Sequence, residues 1–178
     1  MSISKNKAEI EIKRENKLKN NGLRCKVGVA VGIKRRIEVW RNGKLIDVDE
    51  GDCRLDDYLV NAGLDAMCGC VFDGSGNRPS AFKYVAIGTN GDPPSAGQTA
   101  LGNEVMRVDA TYTKDAETGQ CSVDATFSIT GTYGLMECGI FNQPSGGTML
   151  CRDVFAVKNV IAGDFVKIYY TPVFQRPS

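Results

Sequence analysis

The chain contains no histidine. A Ser-His-Asp triad, a Cys-His pair, a histidine-ligated metal and a histidine proton shuttle are therefore closed to it. What remains for chemistry is seven cysteines and 21 acidic residues. The cysteines are Cys25, Cys53, Cys68, Cys70, Cys121, Cys138 and Cys151. An odd number, behind an N-terminus (Met1-Ser2-Ile3-Ser4-Lys5) that runs into charge rather than an apolar segment, argues against an exported disulfide framework. Cys68-Gly69-Cys70 is C-x-C and lacks the C-x₂-C spacing of a zinc knuckle. The preferred reading is reduced, buried cysteine acting as a small hydrophobe, with no metal and no cofactor. A carboxylate pair could still perform glycosidase-like hydrolysis, but no two acids stand out from the solvated background. Gly88-Thr89-Asn90-Gly91 lacks the G-K-[ST] ending of a phosphate-binding loop. The expectation is a protein that is not an enzyme, with no catalytic residue to name.

The cations are the second candidate set. Residues 1–36 carry Lys5, Lys7, Lys13, Arg14, Lys17, Lys19, Arg24, Lys26, Lys34, Arg35 and Arg36 against Glu9, Glu11 and Glu15, a net of +8. The remaining 142 residues are net −7. Such asymmetry reads as an interaction arm on a separate body. Three readings compete: a solvated tail, a contact with phosphate backbones, and an arm lying along an acidic protein surface. Nucleic acid is disfavoured because the arm has no aromatic residue to stack on bases. The protein-bound arm is preferred, which makes these eleven cations the candidate partner-binding residues.

These residues need elements to position them. Residues 1–22 are expected to form the extended basic arm and residues 23–178 a single β-sandwich domain. Cys25 to Val31 reads as a strand broken at Gly32. Asn42-Gly43 between alternating segments predicts a hairpin over 33–48, with Ile37 and Val39 on one face and Glu38 and Trp40 on the other. Leu55, Leu59, Ala62 and Ala66 recur on one face of a helix over 55–68, capped by Asp52 or Asp56 and ended by the glycines at 69, 74 and 76. Gly63 inside it predicts a close packing contact. The helix reads as a plug or lid on the sheet. From 82 to 174 the chain is strand upon strand: 82–87, 103–114, 121–130, 135–141, 148–154 and 165–174. Between them lie the loops 73–80 and 88–97 and a hairpin loop at 115–119. The fold class is mainly β, a sandwich or jelly-roll-like body with one short helix. No apolar run approaches the roughly 20 residues of a membrane span.

Several stretches together resemble structural proteins of tailed bacteriophages. They are Tyr84-Val85-Ala86-Ile87-Gly88-Thr89, Thr99-Ala100-Leu101-Gly102-Asn103-Glu104-Val105, Glu137-Cys138-Gly139-Ile140-Phe141-Asn142, Gly146 to Phe155, and Gly163-Asp164 leading into 165–174. Leu59 to Met67 is similar to a short helix of the same proteins. The resemblance spans roughly residues 55–174, brings no catalytic residue, and implies a virion component made in a bacterial cytoplasm. It implies as partners the major capsid protein or other virion proteins, and a homo-oligomer, for which a trimer would suit. Two placements follow. A capsid decoration (cement) protein would spread its arm over neighbouring capsid subunits. The alternative is a tail, baseplate or fibre component whose loops 73–80 and 88–98 meet the host. The short chain without fibrous repeats favours the head. An enzyme with an unrecognised carboxylate site stands a distant third.

Overall fold

The computed structural model of the chain describes residues 30–51 and 59–175. Asn42 at φ 50° and Gly43 at φ 74° are the two left-handed positions that a tight hairpin turn requires. They reverse β1 (Ala30–Arg41) into β2 (Lys44–Gly51), paired antiparallel from Arg41↔Lys44 to Arg35↔Gly51 with a bulge between Val39 and Trp40. The hairpin is thus the expected one, with longer arms. The expected break at Gly32 is absent. β1 runs through it because Gly32 pairs with Val173 of β9 (Phe165–Gln175), and the neighbouring ladder overrides the local weakness of a glycine. The β1–β9 register holds for eleven pairs, from Ala30↔Gln175 to Trp40↔Phe165.

The other strands are β3 (Tyr84–Gly88), β4 (Glu104–Asp109), β5 (Thr111–Lys114), β6 (Cys121–Ser128), β7 (Tyr133–Phe141) and β8 (Met149–Val160). They form two antiparallel sheets, ordered β2-β1-β9-β6-β5 and β4-β3-β7-β8. The body is mainly β with one short helix among the described residues, as the sequence pattern predicts. The expected single strand 103–114 is two strands in different sheets. β4 reaches the end of its partner at Tyr84↔Asp109, Ala110 crosses over, and Thr111 opens pairing with β6 at Asp124.

Period-2 alternation builds the core. Ile33, Ile37 and Val39 of β1, Val123, Ala125 and Phe127 of β6, and Val166 and Ile168 of β9 face Val85, Ile87, Leu135, Ile140 and Phe155 of the other sheet. Cys138 and Cys151 are buried here as small hydrophobes, and the Tyr170 hydroxyl donates to the Cys138 sulfur at 2.8 Å. Cys68 departs from the buried expectation: it lies on the solvent side of the helix, while Cys70 and Cys121 are half-buried.

The helix, α1 (Asn61–Phe72), starts later and ends later than expected. Val60 stands at its N-cap position without a side-chain cap; Asp52 and Asp56 lie outside the described residues. Gly69 does not end it, since the chain continues helical to Phe72 and the Asp73 N–H closes on the Gly69 carbonyl at 3.1 Å. The close contact at Gly63 is present: a Cβ there would stand 2.3 Å from the Leu150 carbonyl oxygen, so the helix rests directly on the β8 backbone. No described helix is long and apolar enough to cross a membrane.

Candidate interaction site and the clamp beneath it

Of the eleven candidate cations, Lys5, Lys7, Lys13, Arg14, Lys17, Lys19, Arg24 and Lys26 lie outside the described residues. The alternation of β1 separates the other three. Lys34 is exposed. Arg36 is half-buried and pairs with Glu38, at 2.9 Å from its Oε1, and with Glu50. Arg35 falls on the inward face beside Ile33 and Ile37 and is buried, so it does not face a partner. It pairs with Asp49 at 2.7 Å and with Asp153, and its guanidinium lies 5.1 Å from the Phe155 ring centre. Burial pushes the Asp153 carboxyl up, against the pull of Arg35. Lys158 reaches Asp47 at 2.9 Å, so the β1–β2 hairpin is tied to β8 by charge.

A second buried charge centre was not legible as a site. Glu137 on β7 and Arg152 on β8 are both fully buried and paired through Arg152 Nε and Glu137 Oε2 at 2.8 Å. The carboxylate also accepts three backbone N–H groups of the 89–103 connection: Asn90 at 3.1 Å, Gly102 at 2.8 Å and Asn103 at 2.7 Å. Arg152 answers from the other side, donating to the carbonyls of Asp92 at 2.8 Å and Asn90 at 3.3 Å, to Asn90 Oδ1 at 3.0 Å and to Gln98 Oε1 at 3.3 Å. Burial alone would raise the Glu137 carboxyl. The Asn103 N–H, the Arg152 guanidinium and the Gly102 and Asn90 N–H groups outweigh it and hold the group below its ordinary range.

Two glycines make the clamp possible. A Cβ at Gly88 would stand 2.5 Å from Glu137 Oε1, and one at Gly102 would stand 2.6 Å from the Asn90 Cβ. Both carboxylate oxygens are occupied and neither residue meets solvent, so the pair has no route to a substrate. Its action is mechanical: it fixes a long connection at Asn90, Asp92, Gln98, Gly102 and Asn103 and leaves the tip around Pro93 and Ser95 exposed. Arg107 on β4 does similar work nearby. It pairs with Glu104 at 2.6 Å, donates to the Gln143 and Gly146 carbonyls at 2.9 Å each, and lies 3.6 Å over the Phe141 ring. The signal that could have found the clamp is an acid in one apolar run, Leu135-Met136-Glu137-Cys138, and an arginine that follows another, Met149-Leu150-Cys151-Arg152. Opposite charges in buried strands must find each other.

Among the described residues no three His, Cys, Asp or Glu side chains are grouped to hold a metal ion. No family model, curated protein or solved structure matches the chain.

Proposed function

We propose that this chain is a non-enzymatic structural component of a tailed-phage virion, a decoration (cement) protein that binds the assembled head. The observation that carries the reading is the clamp. The stretches that resemble virion proteins lie far apart in sequence, yet Gly88, Gly102-Asn103, Glu137 and Arg152 meet at one buried ion pair. The pattern is therefore one structural unit, which supports reading it as a family signature and not as scattered strand punctuation. The +8 charge of residues 1–36 supplies attraction to an acidic shell, and an arm that bridges subunits favours the assembled state by mass action.

A second reading, a tail or baseplate component, draws on the same clamp. A connection fixed at five positions with an exposed tip costs little to order on binding, which suits contact with a host surface. Quantitative mass spectrometry of purified particles separates the two. Hundreds of copies per particle are expected for the head, a handful for the tail, and absence from the particle overturns both. Removal of residues 1–22 is expected to abolish addition to expanded capsids; full occupancy by the truncated protein would overturn the arm mechanism.

A further inference from the structure

The outer face of the five-stranded sheet carries a ribbon of polar and aromatic side chains that neither the core nor the clamp uses. Ile33, Ile37 and Val39 of β1 and Val166, Ile168 and Tyr170 of β9 face inward. Alternation therefore turns the cross-strand pairs Arg36↔Tyr169, Glu38↔Lys167 and Trp40↔Phe165 outward. At one end of the ribbon lies a hollow of about 260 Å³, lined by Lys34, Arg36, Tyr169 and Thr171 and by Glu50 of β2, with Arg35 and Gly51 at its inner edge. Glu38 organises the neighbouring side chains. Its carboxylate is buried and accepts the Trp40 Nε1–H at 2.8 Å, the Arg36 Nε–H at 2.9 Å and the Tyr169 hydroxyl at 3.5 Å. Glu50 holds Arg36 a second time. Arg36 and Tyr169 are thus in place before a ligand arrives, which lowers the ordering cost of binding.

We propose that this hollow binds one sugar unit of a neutral glycan, with Tyr169 as its aromatic wall. A pyranose offers donors and acceptors around its rim and C–H groups on its faces. It needs both kinds of polar partner and an aromatic ring. The hollow supplies all three: Lys34 and Arg36 donate, Glu50 accepts, Thr171 does either, and Tyr169 offers a π-face. Charge disfavours a polyanion. Lys34, Arg36 and Lys167 are matched on this face by Glu38, Glu50 and Asp124, whereas a phosphate backbone is held by a surplus of cations. Size suits a single unit. A cavity of about 150 Å³ holds a benzene ring, and about 260 Å³ leaves room for a ring that carries hydroxyls. Phe165, 47% exposed, stands four residues from Tyr169 along β9, about 13 Å away, where a further unit of the same glycan would pass. The inference does not rest on the virion reading.

The test is titration of the full chain with neutral oligosaccharides built of glucose, galactose, mannose or N-acetylglucosamine. Amide NMR shifts locate the site, and the emission of Trp40, the single tryptophan, reports from the same face. At least one of these sugars is expected to give saturable shifts at 34–36, 50–51 and 169–171, with a Kd of about 0.1–10 mM, the weak range of one shallow hollow. Tyr169→Leu is expected to weaken binding about tenfold through loss of the ring. Lys34→Ala, at an exposed position, is expected to weaken it severalfold with an unchanged melting temperature. No shift with any of the sugars at about 20 mM overturns the inference. So do shifts confined to α1 and its neighbours, or binding that survives both substitutions. Tighter binding of inorganic phosphate or a sulfated oligosaccharide at these residues also overturns it, and marks an anion site instead. Self-association that covers these residues without sugar overturns it in favour of a protein interface. None of these results bears on the copy number per particle, so failure here is distinct from failure of the virion reading.

Discussion

Replacing Arg152 with methionine keeps the length of the side chain and removes its charge and donors. Glu137 would remain fully buried with three backbone N–H partners, and the carbonyl and side-chain oxygens of Asn90 would lose the guanidinium. Breaking a buried pair from one side costs about 3–5 kcal/mol, against a whole-domain stability of about 5–15 kcal/mol. Arg152→Met should therefore sit near the edge of folding at 25 °C, and Glu137→Gln, which strands the guanidinium, should lose a similar amount. The double variant removes both charges and should be no less stable than either single, giving a coupling of at least about 2 kcal/mol. Urea denaturation followed through Trp40, the single tryptophan, measures all four proteins. Hydrogen exchange should show the extra opening concentrated in 89–103. The acid limb adds a sign. The folded Glu137 carboxyl lies below its ordinary range, so its stabilisation is present above the unfolded value of about 4.3 and fades as pH falls toward the folded value. The gap between wild type and Glu137→Gln should therefore narrow below about pH 4.3. Additive losses in the double variant, or single-variant losses under about 1 kcal/mol, would refute the clamp.

Other outcomes follow from single positions. Alanine for glycine inside a helix ordinarily stabilises by up to about 1 kcal/mol. Gly63→Ala should instead destabilise by roughly 1–3 kcal/mol in thermal melts, because the new methyl meets the Leu150 backbone; a stabilised variant would show that the helix does not rest there. Gly43→Ala should lose about 1–2 kcal/mol by chemical denaturation, since φ 74° is costly for an L-residue, and a neutral result would contradict the turn geometry. Asp164 is buried and accepts two N–H groups of Arg41, at 2.8 and 2.7 Å, and the Ile161 N–H at 2.9 Å. Asp164→Asn should cost about 1.5–3 kcal/mol; a loss near zero in urea titration would mean that the half-exposed Arg41 contributes nothing.

The strands were legible where apolar and polar residues alternate against a wet face. Val123, Ala125 and Phe127 on β6 are an example, as are Ile37 and Val39 on the hairpin. The Asn-Gly turn was legible because two positive φ values leave few alternatives. Legibility failed where a partner decides. Gly32 stays in a strand because β9 supplies a ladder beside it, and the 104–114 segment changes sheets because its antiparallel partner β3 begins only at Tyr84, opposite Asp109. The start of α1 is not legible because the apolar spacing in the sequence begins upstream, at Leu55 and Leu59, and periodicity does not say where the first helical turn closes. Of the candidate site, the cations of 1–36 were visible as composition, but alternation puts Arg35 inside among Asp49, Asp153 and Phe155. Glu137 and Arg152 are not legible as a pair because Glu137 stands alone in its run and Arg152 has Asp153 as its sequence neighbour, until β7 and β8 are laid side by side at Gly139↔Arg152.

The pairing of Ala30 with Gln175 gives the body a mechanical polarity. The described chain enters and leaves at one end of the central β1–β9 ladder. Tension applied between those two points would peel the ladder open one rung at a time, a low-force mode. Tension that enters through Ala30 and leaves through the opposite end of the body would instead load the eleven rungs of this pairing together, in shear. A protein tethered by the chain preceding residue 30 and gripped at its far end would thus hold like a ratchet strap, while the same protein tugged by both ends would unzip. Single-molecule pulling in the two geometries should differ several-fold in rupture force, with unfolding rates rather than equilibrium stability setting the difference.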